Sequence, residues 1–255
     1  MIEFLSSVPG VTPLLFAGLT ILAFFTAAFG IVAGLGGGVL ILGVMATIFP
    51  PAAVIPLHGA VQFGTNMTRN FIMRKRIAGE QIASFGAGAL IGGIIGGNLV
   101  VALPTASLQM ILGGFILYAC WAPRWGRRPY SHRWFFALGG VGALLSMFVG
   151  ATGTVLAPFI AAANPDRRAY VATLSVLMTI VHALKIVVFG FLGFGFGAYL
   201  PLIVAMIAAA FFGNVFGQAI LERMPEKLFR RIFQIVLTLL AIRLLYSGID
   251  KAGLV

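Results

Sequence analysis

The sequence predicts an all-α polytopic membrane protein built from two inverted repeats, each a broken or re-entrant helical hairpin plus three transmembrane helices. Three observations carry this expectation. Apolar runs of about 20 residues or more recur along the whole chain, long enough to cross the hydrocarbon of a bilayer. Two glycine-rich breaks, Gly34-Leu35-Gly36-Gly37-Gly38 and Gly150-Ala151-Thr152-Gly153-Thr154, interrupt such runs at an offset of 116 residues. Between the two halves, the basic residues switch to the opposite ends of corresponding helices.

Composition excludes the main alternatives. A chain of 255 residues that is 60% hydrophobic and 9% charged has too little polar sequence for a second, soluble domain. The net charge of +11 sits in short loops between apolar segments. That is the positive-inside pattern, so the partner expected is a lipid bilayer and not nucleic acid. The single cysteine, Cys120, excludes an internal disulfide. The first apolar segment lacks a basic leader and is too long for a signal-peptide core, so it reads as a membrane helix.

The elements follow in order. Residues 1–11 form a tail without Lys or Arg, and apolar sequence then runs from about Pro13 to the first glycine cluster. Val39 to Phe49 reads as a short returning arm stopped by Pro50-Pro51. Helices are expected over 52–73, ending at Arg74-Lys75-Arg76, over 82–103, and over 108–122, with Pro104 in the last turn. Residues 1–123 make the first repeat. A basic connector, 124–133, holds Arg124, Arg127, Arg128, His132 and Arg133. The second repeat, 134–255, restarts the pattern: helix, Gly/Thr break, short arm to Ala163, the loop Asn164-Pro165-Asp166-Arg167-Arg168, then helices over 169–191, 198–221 and 228–247.

At the shift of 116 residues, Gly34, Gly37, Val39 and Leu40 fall on Gly150, Gly153, Val155 and Leu156, and Gly97-Asn98 falls on Gly213-Asn214. The turn after 52–73 is basic whereas its counterpart, Gly193 to Gly197, is uncharged. Conversely, Arg167-Arg168 and the Arg223, Lys227, Arg230, Arg231 turn are basic where the first half has neutral prolines. With basic loops in the cytoplasm, the repeats insert upside down relative to each other, connector inside and both termini outside. The returning arms then span roughly 16 Å at 1.5 Å per residue, about half the hydrocarbon thickness. Two hairpins dipping from opposite faces place their tips near the midplane. Three consecutive glycines weaken a helix by about 2–3 kcal/mol relative to alanine, which favours a break there. The Gly92-Gly93 and Gly96-Gly97 pairs read instead as close helix packing.

This arrangement points to anion chemistry. An arm beginning at Gly37 or Gly153 aims unsatisfied N–H groups and a positive dipole end at the membrane centre. Candidate substrate-binding residues at the tips are Gly36, Gly37, Gly38, Thr152, Gly153 and Thr154. Polar stripes at helical spacing add His58, Gln62 and Asn66 from one helix and Thr179, His182 and Lys185 from its counterpart. Thr65 and Ser175 share those stripes. Arg69 reads as an anchor snorkelling to the inner interface beside Arg74, and Lys185 is open to the same role at the outer one. The six acids, Glu3, Glu80, Asp166, Glu222, Glu226 and Asp250, all fall in loops or tails. With no carboxylate at membrane depth, a cation carrier is disfavoured, and His58 and His182 are the titratable candidates for proton coupling. No catalytic set, metal-ligand cluster or cofactor signature is present, so the chain does not read as an enzyme.

The Gly-Leu-Gly-Gly-Gly-Val-Leu break near the end of the first helix, echoed after a basic connector, resembles the TauE/SafE family of sulfite and organosulfonate exporters. The resemblance covers nearly the whole chain. The family's usual proline beyond the cluster is kept as Pro158, while the first repeat has Leu42 there. The resemblance implies transport of a sulfur-containing anion, sulfite or a sulfonate; with the inverted repeats, the expectation is a transporter working by alternating access in a bacterial inner membrane. An anion-selective channel-like pore and a non-transporting membrane scaffold subunit remain as other readings.

Overall fold

A computed structural model describes residues 8–32, 37–100, 104–121, 131–164, 166–220 and 226–253, and these are predominantly helical, with no strand among them. The first half holds α1 (Pro13–Val32), α2 (Gly37–Met45), α3 (Pro51–Met73), α4 (Ile82–Val100) and α5 (Thr105–Trp121). The second holds α6 (His132–Val149), α7 (Gly153–Ala163), α8 (Arg167–Phe191), α9 (Leu200–Ile220) and α10 (Glu226–Lys251). The stretches Pro13–Ile31, Gly79–Val100, Arg168–Phe191 and Phe196–Ala219 are long and apolar enough to cross a membrane. The chain is thus an all-α polytopic membrane protein.

The second glycine cluster falls at a helix break. α6 stops where Gly150 turns to φ +79° while its N–H still reaches the Ser146 carbonyl. Glycine takes this positive-φ cap without the strain a side chain brings. α7 resumes at Gly153 and folds back along α6, so that Gly142 faces Leu156. In the first half, α2 begins at Gly37 so close to the Thr26 carbonyl that a side chain there would overlap backbone. Gly34, Leu35 and Gly36 lie outside the described residues, as do residues 124–130 of the expected connector. The returning arms hold 9 and 11 residues, roughly 14 and 16 Å at 1.5 Å per residue, about half a bilayer's hydrocarbon.

α2 ends at Met45, short of the expected Phe49. Thr47 Oγ1 donates to the Val44 carbonyl at 2.8 Å, a local bond that competes with the helix, and Pro50 follows. α3 then starts with proline in its first turn, where the missing N–H costs nothing. Asp166 caps α8 by accepting from the Ala169 N–H at 2.8 Å.

Packing between the halves is reciprocal: α4 lies on α6, and α9 lies on α1. A Cβ at Gly88, Gly92 or Gly139 would fall onto backbone carbonyls of Phe136, Gly140 or Phe85, and one at Gly213 or Gly217 onto those of Phe24 or Ala28. These are backbone-to-backbone seams of the small-residue kind found between membrane helices. Gly92 and Gly96, read as packing residues, do pack α4 on α6. Along both seams the residue numbers rise together, so the paired helices run parallel. By contrast α3 and α8 run antiparallel, with His58 against His182 and Asn70 against Thr179 and Ser175. α5 and α10 are antiparallel too, Gly113 facing Ala241 and Leu245 while Gly248 faces Ala106 and Met110.

Candidate functional site

α3 and α8 cross at the centre of the bundle, and the first turns of α2 and α7 end between them. A cavity of about 70 Å³ opens there, lined by Gly37 and Gly38 of α2, Gly153 and Thr154 of α7, and the polar stripes of α3 and α8. That volume holds about five water-sized spheres, enough for a small oxyanion and too little for a bulky organic one. In α7 the Val155 and Leu156 N–H groups reach the Thr152 carbonyl at 3.0 and 3.1 Å, which leaves those of Gly153 and Thr154 without intrahelical acceptors, and the dipoles of α2 and α7 add positive potential at the same place.

His58 bridges α3 to the first hairpin: its Nε2 lies 2.9 Å from the Gly38 carbonyl oxygen. A carbonyl can only accept, so Nε2 carries the hydrogen. The ring meets His182 edge to face, centroids 5.7 Å apart. Beside it, Gln62 packs its amide against Gly38, where a Cβ would stand 2.5 Å from Nε2. Asn66 donates back to the Gln62 carbonyl at 2.8 Å.

The buried polar atoms that lack a partner gather here. Among the described residues these are His58 Nδ1, His182 Nδ1, Thr152 Oγ1, Thr154 Oγ1 and Arg69 Nε, with Gln109 Oε1 elsewhere. Native interiors satisfy nearly all such atoms; the four from cavity-lining residues, with Thr152 Oγ1 buried beside them, mark a place where a guest completes the bonding.

Two cations flank the site, and among the described residues no Asp or Glu lines it. Arg69 does not snorkel to the interface. It lines the cavity, its Nη2 donating to Asn214 Oδ1 at 3.3 Å. Asn214 is fixed in turn by donating to the Thr65 carbonyl at 2.9 Å and to Thr68 Oγ1 at 2.7 Å. Lys185 does not reach an interface either. It is 0% exposed, and its Nζ donates to the Gly150 carbonyl at 2.7 Å. Gly59 is what admits it, since a Cβ there would stand 2.6 Å from Lys185 Cδ.

Of the residues expected to bind substrate, Gly37, Gly38, His58, Gln62, Asn66, Gly153, Thr154 and His182 line one cavity. Thr152 is buried next to it with a free hydroxyl, and Lys185 stands behind the second tip. Gly36 lies outside the described residues. Thr179 turns away, accepting from Asn70 Nδ2 at 2.9 Å and donating to the Ser175 carbonyl at 2.8 Å. Sequence reasoning left Arg69 out of the site, although the spacing of 58, 62, 65, 66 and 69 continues one helix face. It also left out Thr26, a cavity-lining residue of α1 and one of two threonines in that apolar run.

The family model described as "Sulfite exporter TauE/SafE" matches residues 19–244, nearly the whole chain. No curated protein and no solved structure matches it.

Proposed function

Since the chain belongs to the sulfite exporter TauE/SafE family, whose members are membrane transporters of sulfite-type anions, we propose that it carries sulfite or a comparably small sulfonate by alternating access. The anion sits in the central cavity, on the N–H groups of α2 and α7, the hydroxyls of Thr152 and Thr154, and Arg69. The observation that carries this reading is the cluster of unpartnered buried polar atoms around a cavity without a carboxylate. Such a cluster is costly when empty and is satisfied by a negative guest.

In this reading the two repeats are inverted. The antiparallel crossings of α3 with α8 and of α5 with α10 support it, because these are the helices that correspond at the 116-residue shift. Arg74, Lys75, Arg76 and Arg168 share one pocket at one end of the bundle, which supports a single cytoplasmic face of a bacterial inner membrane. Both hairpins are then re-entrant, and inversion gives the site two equivalent routes of access.

Thr154→Val tests the site. In proteoliposomes the wild type shows saturable sulfite flux. The variant raises KM about tenfold, the equivalent of about 1.4 kcal/mol for one lost bond, while its thermal stability in detergent is unchanged or higher because an orphan hydroxyl is gone. An unchanged KM, or a wild type without saturable flux, overturns the proposal.

A further inference from the structure

We propose that His58 binds a proton together with the anion, so that each anion crosses with one proton. The inference rests on the anion-transport reading above.

It starts from the hydrogen-bond inventory of the ring. With Nε2–H committed to the Gly38 carbonyl, a neutral His58 has only a lone pair at Nδ1. That atom is buried and unpartnered. It faces Gly150 of the other hairpin, 3.6 Å from where a Cβ on that residue would stand. Two carbonyl-bearing turns, one from each repeat, thus flank an imidazole that has one hydrogen between them. A proton taken from water onto Nδ1 supplies the second. The imidazolium then has a donor toward each hairpin and adds positive charge beside the cavity.

The groups facing His58 make this conditional on the anion. From α8 come His182, with its own unpartnered Nδ1, and the Lys185 ammonium, which shares the Gly150 turn. From α2, α6 and α7 come only backbone and uncharged side chains among the described residues. Arg69 lies eleven positions on along α3, roughly 16 Å at 1.5 Å per residue. An imidazolium beside Lys185 has no carboxylate to offset it, so the offsetting charge is the guest's. Proton and anion therefore raise each other's affinity, reciprocally. His182, in ring contact with His58, is the next stop for the proton when access switches sides.

The test uses anions that do not titrate. Methanesulfonate and sulfate, both anions of strong acids, are added to detergent-purified protein in weak buffer while a dye reports pH. Expected is about one proton taken up per anion bound, with affinity falling towards tenfold per pH unit on the alkaline side. His58→Gln binds without proton uptake, and Lys185→Arg, which keeps a permanent charge, retains the uptake. Anion binding by the wild type without proton uptake overturns the inference, and so does uptake that survives His58→Gln or disappears in Lys185→Arg. If His58→Gln does not fold, the wild-type stoichiometry and the uptake of Lys185→Arg decide together. Binding of sulfite but of neither strong-acid anion would put the proton on the substrate and also overturn it. Absence of flux for every anion, sulfite included, would instead strike the anion-transport reading itself.

Discussion

Asn98 and Asn214 occupy equivalent places in the two repeats, yet their replacement by alanine is expected to have different consequences. Asn214 is 0% exposed and joins α9 to α3 through three bonds: to the Thr65 carbonyl, to Thr68 Oγ1 and from Arg69. Interhelical side-chain bonds in membrane bundles average about 0.6 kcal/mol and reach about 1.7. A bond to a charged group is worth about 1.5–3 kcal/mol. Together these put Asn214→Ala at about 3 kcal/mol of lost stability. Asn98 is exposed, and its amide donates only to the Ile94 carbonyl of its own helix, at 2.8 Å. Asn98→Ala exchanges that bond for a better helix former and stays within about 0.5 kcal/mol of wild type. Unfolding by SDS in mixed micelles measures both. Sulfite KM gives an independent readout, because Asn214→Ala also frees the Arg69 guanidinium and raises KM about tenfold, the equivalent of about 1.4 kcal/mol. Equal losses for the two variants would refute the claim that this pair has diverged in role.

Two further predictions concern the tips and the cation. Gly37→Ala drives a methyl into the Thr26 backbone carbonyl and costs at least about 3 kcal/mol, the upper end of overpacking. Gly153→Ala meets only the flexible Met178 thioether, at 3.4 Å, and is neutral within about 1 kcal/mol; SDS unfolding of the pair checks both, and a reversed order rejects the described hairpin packing. Arg69→Gln removes a charge-assisted contact worth about 1.5–3 kcal/mol and lowers sulfite affinity roughly 10- to 100-fold. Unchanged affinity by calorimetric titration would return Arg69 to an anchoring role.

Much of the fold was legible because membrane helices announce themselves by length and by what interrupts them. The break at Gly150, the proline start of α3 and the end of α8 all follow from local backbone chemistry. The site was legible as a stripe: His58, Gln62 and Asn66 lie on one helical face, and that face turned inward. Partnership between distant helices was not legible. Arg69 and Lys185 look alike as long basic side chains near helix ends, where snorkelling is the default. Nothing local revealed that Asn214 holds the first, or that Gly59 and the Gly150 carbonyl make a burrow for the second. Thr179 was likewise diverted by Asn70, a residue of a different helix.

The exchange of partners between the halves bears on how the protein is made. α1 finds its glycine seam on α9, nearly the whole chain later, whereas α4 meets α6 soon after leaving the ribosome. The first hairpin is therefore inserted long before its backing exists, and waits in the bilayer as an unmated segment. Only the arrival of α9 gives it that seam, with α10 still to follow.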